Sequence, residues 1–163
     1  LFPPDKGGYE LLRPYFKGMS NAPKPLVIKV ERRVRFEEVD SLGIVWHGRY
    51  PSFFEDARGA LGEKYGISYL DFYNNGIIAP IKKIHIDYHL PLSYPDLFSI
   101  EGILHWSDAA RLDFEYIIRD SKGALLTTGY TVQLMLDPDK NLYMVLPPFY
   151  MEFCHRWKRG DLK

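Results

Sequence analysis

The chain has 163 residues, enough for one domain with a continuous hydrophobic core. Lys plus Arg and Asp plus Glu balance at 21 each, which removes the electrostatic case for nucleic acid or an anionic membrane surface as a partner. Aromatic residues at 15% argue against disorder, and a single cysteine, Cys154, excludes an internal disulfide and a cysteine-based zinc site.

Residues 1–26 carry Pro3, Pro4, Pro14, Pro23 and Pro25 with Gly7, Gly8 and Gly18. This composition predicts an extended arm with at most a short helical turn over 9–16. From Val27 the side chains alternate, with Val34 and Phe36 continuing the pattern, so a strand of about ten residues over 27–36 is expected. Phe53, Phe54, Ala57, Ala60, Leu61 and Tyr65 then recur at helical spacing. Pro51 suits the first helical position and Gly66 the stop. A second short helix over 69–73 ends at Asn74-Asn75-Gly76.

Four strand-like runs follow, over 77–90, 97–106, 111–119 and 124–136, separated by turn-forming residues such as Ser121-Lys122-Gly123. Residues 148–158 close the chain as a helix, with Phe149, Phe153 and Trp157 four apart. One long helix followed by a run of strands predicts an α+β domain. The simplest packing wraps a curved antiparallel five-stranded sheet around that helix, leaving an edge strand for a partner subunit. The expected division is an arm over 1–26, the α+β domain over 27–147 and a helical tail over 148–163. No apolar run approaches the roughly 20 residues of a membrane helix. No leader-like pattern opens the chain, so a cytoplasmic protein without membrane insertion is expected.

The most informative segment is Asp40-Ser41-Leu42-Gly43-Ile44-Val45-Trp46-His47-Gly48-Arg49-Tyr50-Pro51. It sets a carboxylate ahead of a helix start, with a glycine between and a histidine at the mouth. A base or nucleophile then lies close to unpaired helix N–H groups, the donors that an acyl-transfer oxyanion requires. The competing reading makes Asp40 a loop residue that caps its own turn. From spacing alone the two are even.

The stretch Val34-Arg35-Phe36-Glu37-Glu38-Val39-Asp40 through His47 resembles the signature of the 4-hydroxybenzoyl-CoA thioesterase family, which includes the acyl-CoA thioesterases associated with the Tol-Pal system. Tyr50, the helix Phe53-Phe54-Glu55-Asp56-Ala57-Arg58, and Tyr88, Pro91, Asp96 and Leu97 extend the resemblance, which covers roughly 27–136. It implies the hotdog fold and hydrolysis of an acyl-CoA or acyl-carrier-protein thioester by a homodimer or homotetramer, without metal or organic cofactor. It assigns Asp40 as nucleophile or general base, His47 as the residue whose backbone N–H polarises the carbonyl, and Tyr50 as a further catalytic position. Gly43, Val45, Trp46, Arg49 and Phe54 become substrate-binding positions. Arg49 departs from the small polar residue common there, and a cation at a helix start opposes the dipole by about 0.3–1 kcal/mol, so it is free to meet phosphates or a carboxylate.

Other candidates have plainer explanations. Glu55 and Asp56 are expected on the first helical turn, where carboxylates favour the dipole. His85, Asp87 and His89 share one strand face, but the outer pair is about 13 Å apart at about 3.3 Å per residue, so a polar strand face is expected rather than a metal site. Lys82, Lys83, Arg111, Arg119 and Lys122 are candidates for CoA phosphates, and Tyr69, Phe72 and Tyr73 for an acyl tunnel, although surface and core are the commoner fates. Apolar walls favour a fatty or aromatic acyl group. A hotdog 3-hydroxyacyl thioester dehydratase and a non-catalytic acyl-binding protein are the rival functions.

Overall fold

A computed structural model describes residues 15–16 and 20–162. The expected turn over 9–16 therefore lies outside the described residues, except for Tyr15 and Phe16. Strand β1 (Leu26–Arg33) leads through a loop to helix α1 (Tyr50–Tyr65) and the short helix α2 (Tyr69–Asn74). Strands β2 (Ile81–Tyr88), β3 (Leu97–His105), β4 (Arg111–Asp120) and β5 (Leu125–Leu134) follow, then helix α3 (Pro148–Arg159). The strands form one antiparallel sheet in the order β1-β3-β4-β5-β2, so β1 and β2 are its edges.

Helix α1 follows from its sequence pattern. Tyr50, Phe53, Phe54, Ala57, Leu61 and Gly62 form one buried stripe, and Gly66 ends the helix at φ 71°, a left-handed conformation that glycine adopts without penalty. The stripe meets most of the sheet. Phe53 packs on Phe98 of β3, Phe54 stacks on Tyr116 of β4 with ring centroids 4.3 Å apart, and Arg58 bonds Gln133 of β5. A sheet reaching one helix from so many strands must wrap around it, which is the expected hotdog arrangement.

Several boundaries differ from the sequence expectation. Strand β1 ends at Arg33, because Phe36–Glu38 forms a 3-10 turn closed by the Glu38 carboxylate accepting from the Arg35 N–H at 2.8 Å. Strand β2 is shorter than 77–90: its N-terminal flank meets Leu136 only through the isolated bridge at Ile78. Pro51 is the second residue of α1, and Glu55 and Asp56 fall on its second turn rather than its first. There Asp56 pairs with Arg32 at 2.9 Å and Glu55 accepts from the Tyr69 hydroxyl at 3.1 Å, so both have structural partners. Helix α3 buries Tyr150, Phe153, Cys154 and Trp157, and Trp157 donates to the Lys24 carbonyl at 2.9 Å. The C-terminal helix is thereby part of the core.

Candidate active site

The segment between β1 and α1 folds into a tight two-legged loop. Val39 and Val45 bridge its legs, the Asp40 N–H donates to the Ile44 carbonyl at 2.9 Å, and the Gly43 N–H donates to the Asp40 carbonyl at 3.0 Å. Gly43 turns the tip at φ 77°, where a side chain would cost about 1–2 kcal/mol. The loop is fastened outside as well, since the Val45 N–H donates to the Leu92 carbonyl at 2.8 Å and Ile44 bridges Ser93.

Within the loop Asp40 is half-buried, and its Oδ1 accepts the Leu42 N–H at 2.8 Å. This is the turn-capping bond of the plainer reading, and it holds the carboxylate through Oδ1. Trp46 follows, half-exposed, with its N–H bonded to the Glu38 carbonyl at 2.9 Å.

His47–Arg49 then forms a 3-10 turn that runs directly into α1. The helical start is therefore His47, ahead of the α-helix proper. Arg49 spends its N–H on the Trp46 carbonyl at 2.9 Å, while the His47 and Gly48 N–H groups have no backbone acceptor among the described residues. An added Cβ on Gly48 would lie 2.4 Å from the Trp46 ring, so that half-exposed ring would have to shift to admit a side chain. The His47 ring is exposed and lies 5.2 Å from that of Trp46.

Tyr88, at the end of β2, closes the mouth from the opposite edge of the sheet. Its hydroxyl donates to the His47 carbonyl at 2.7 Å and its ring meets Tyr50 edge-on at 5.0 Å. Neither contact was legible from local spacing, since Tyr88 and His47 are 41 residues apart. Tyr50 itself is 2% exposed, and burial raises its phenol above the ordinary value, so it is held as the neutral hydroxyl. Val45 and Phe54 are buried in the hydrophobic core, and Arg49 turns aside to the Glu37 carbonyl at 3.1 Å. Arg49 also lines a polar cleft of about 470 Å³ with Arg32, Arg35, Glu37, Ser52 and Asp56.

The remaining candidates are scattered. His85 bonds Asp87 at 2.9 Å, Asp87 also accepts from the Tyr15 hydroxyl at 2.6 Å, and His89 bonds Thr128 at 2.9 Å. The bonds from Tyr15 and His85 hold the Asp87 carboxyl below its ordinary value, while burial pushes the Tyr15 phenol up to about 12. This strand face thus receives Tyr15. Arg111 is committed to Asp113 and Arg119 to the Gly123 carbonyl, and Lys83 lies over Tyr130. Of the proposed tunnel aromatics Phe72 is buried, whereas Tyr73 is exposed. Arg58 of α1, which sequence spacing did not single out as a functional position, is fully buried. The signal was available: it occupies a position on the apolar stripe four residues after Phe54.

Residues 34–154 match the thioesterase-like superfamily. YneP of Bacillus subtilis, provisionally named an acyl-CoA thioesterase, is 28% identical over 113 residues, covering 69% of this chain and 82% of that protein. The acyl-CoA thioester hydrolase YbgC of Escherichia coli O157:H7 is 24% identical over 115 residues, 71% of this chain and 86% of its own. DHNA-CoA thioesterase from Staphylococcus aureus superposes with a TM-score of 0.72 at 27% identity, over 83% of this chain and 90% of that one. No helix among the described residues is long and apolar enough to cross a membrane. The loop-braced helix mouth, the sheet wrapped on α1 and a match spanning most of the length lead to one conclusion: the chain belongs to the thioesterase-like superfamily.

Proposed function

We propose that this protein hydrolyses an acyl-CoA thioester to the free acid and thiol, with Asp40 as the reacting carboxylate and the His47 and Gly48 N–H groups as the oxyanion donors. The observation that carries this reading is the 3-10 turn at His47–Arg49, which brings the helical start forward to the two-legged loop that holds Asp40. Similarity to YneP, YbgC and the DHNA-CoA thioesterase supports a CoA-linked substrate, and an acyl-carrier protein is the alternative thiol carrier.

The chemistry uses one carboxylate in either of two ways. Asp40 attacks the carbonyl carbon, the C–S bond breaks with its electron pair leaving on the thiolate, and water cleaves the resulting mixed anhydride. Alternatively Asp40 takes a proton from water, the hydroxide adds, and collapse of the tetrahedral oxyanion expels the thiolate. In both routes negative charge builds on the carbonyl oxygen, where one backbone donor is worth about 2.7–4 kcal/mol of barrier. Tyr88 helps by bonding the His47 carbonyl, which keeps the following turn in register.

The working unit in this proposal is a dimer or a dimer of dimers. Strand β2 has one sheet neighbour, β5, and along it Ile81, Ile84 and Tyr88 are exposed. An edge of this kind calls for pairing or cover. Joining two copies at β2 brings the Tyr88 ends, and hence the mouths, to the interface. Release of free thiol from a series of acyl-CoAs by the purified protein tests the activity, and no release above the Asp40→Asn background across that series would refute it.

A further inference from the structure

A single guanidinium ties the loop that holds Asp40 to the helix that the loop precedes. Arg32, next to last in β1, is half-buried, and its guanidinium carbon lies 5.0 and 5.8 Å from the ring centroids of Phe53 and Phe98. Nη2 donates to the Glu38 Oε1, and Nη1 donates to the Asp56 Oδ2 at 2.9 Å. The first carboxylate belongs to the 3-10 turn at the foot of the loop and the second to α1. Glu38 is buried, whereas Asp56 is exposed. An ion pair as open to water as the one with Asp56 adds little to stability, so its use lies in geometry.

Glu38 is where the two legs of the loop join. Its Oε2 accepts the Arg35 N–H at 2.8 Å, and its carbonyl accepts the Trp46 N–H at 2.9 Å. Asp40 lies two residues after Glu38, and His47 directly follows Trp46. The His47 turn runs straight into α1, so the N–H groups at His47 and Gly48 move with the helix while Asp40 moves with Glu38. On this side the loop and the helix are separated by the polar cleft of about 470 Å³, with Glu37 and Glu38 on one wall and Ser52 and Asp56 on the other. Side-chain packing therefore does not set their spacing there, and the guanidinium spans the gap. A lysine could not do the same, because an ammonium is a point charge on a flexible stem and lacks the planar fork that meets two carboxylates in fixed directions.

We propose that Arg32 is a positioning residue for thioester hydrolysis: by bridging Glu38 and Asp56 it sets the distance from the Asp40 carboxylate to the His47 and Gly48 N–H groups. The inference rests on the thioesterase reading and adds to it a residue that touches neither substrate nor reacting atoms. Its leverage comes from the steep dependence of rate on placement, since a shift of about 1 Å in a reacting group can cost about 10²-fold.

The test measures kcat and KM, on the acyl-CoA that the wild-type protein turns over fastest, for Arg32→Lys, Asp56→Asn and the two together. Each single change is expected to lower kcat by more than about three-fold with KM within about two-fold of wild type. The pair is expected to lose no more than the worse single variant, because either change opens the same bridge. The same substitutions are then made in Asp40→Asn, where no reacting carboxylate is left to misplace and the further loss is expected to stay below about two-fold. A loss of folded protein would lower the rate in both backgrounds alike, so this comparison separates positioning from stability. Asp56 is exposed, and its Asn variant is expected to keep the wild-type Tm, which keeps the test open should Arg32→Lys fold poorly. A smaller loss of kcat in either single variant, or a loss of about two-fold or more in the Asp40→Asn background, overturns this inference while the thioesterase reading stands. A wild-type protein that hydrolyses no acyl-CoA overturns the thioesterase reading, and this inference with it.

Discussion

Replacing Asp40 with Asn separates the two roles the carboxylate can have, because the structural one is small and local. Its Oδ1 accepts the Leu42 N–H at 2.8 Å on an exposed turn, and the amide oxygen of an asparagine can accept the same bond. A hydrogen bond to a charged group is worth about 1.5–3 kcal/mol and a neutral one about 0.5–1.5, so the loss of charge costs about 1 kcal/mol. The backbone bonds Asp40 to Ile44 and Gly43 to Asp40 do not involve the side chain and persist. Catalysis is affected far more. Asparagine offers neither a nucleophilic carboxylate nor a base, and such a role contributes about 10²–10⁴ in rate, or about 2.7–5.4 kcal/mol of barrier. Acyl-CoA hydrolysis followed by thiol release, with urea unfolding on the same preparations, reads both quantities. The expected result is a loss of at least a hundred-fold in kcat with stability within about 1 kcal/mol of wild type. An Asp40→Asn variant that folds normally and turns over at near wild-type rate would remove Asp40 from the chemistry and leave it as a turn cap.

Other parts of the geometry answer to other perturbations. His47→Ala should lose less than about ten-fold in kcat, because the backbone N–H survives, whereas one residue inserted between Gly43 and His47 should abolish activity by displacing that donor; an Ala variant as inactive as Asp40→Asn would give the imidazole a direct role. Gly129→Ala should destabilise by about 1–3 kcal/mol in denaturant unfolding, since its Cβ would lie 2.5 Å from the His85 carbonyl oxygen and 2.6 Å from the Phe54 ring, and an unchanged midpoint would contradict that packing. Sedimentation at micromolar concentration should give a species of at least twice the 19.0 kDa chain mass, and a stable 19.0 kDa species would refute pairing through β2.

Much of this fold is a consequence of local periodicity. The stripe of Phe53, Phe54, Ala57 and Leu61 could only be a helix with one buried face, and the alternating runs around Phe114 and Val132 could only be strands, so the element order was legible in chain order. Gly66 and Pro51 marked the helix ends for reasons that lie within a single residue's backbone. The Asp40-to-His47 segment was equally legible as a chemical grouping, because its spacing alone sets a carboxylate before a helix start.

Contacts between residues distant in the chain were decided by the tertiary structure. Phe36 continued the alternation of β1, yet the Glu38 carboxylate bonded to the Arg35 N–H draws that stretch into a turn. The helical start moved forward to His47 because the loop's two legs are bridged and Tyr88, from the far edge strand, bonds its carbonyl. The face of His85 and Asp87 acquired its partner only when Tyr15 came to lie on it, 72 residues away from Asp87. Arg58 stood in plain view as a cation on an apolar stripe. Only the packing of α2, β4 and β5 around it turned that position into a buried charge with no ion-pair partner among the described residues, because burial is a property of what surrounds a residue and not of its neighbours in sequence.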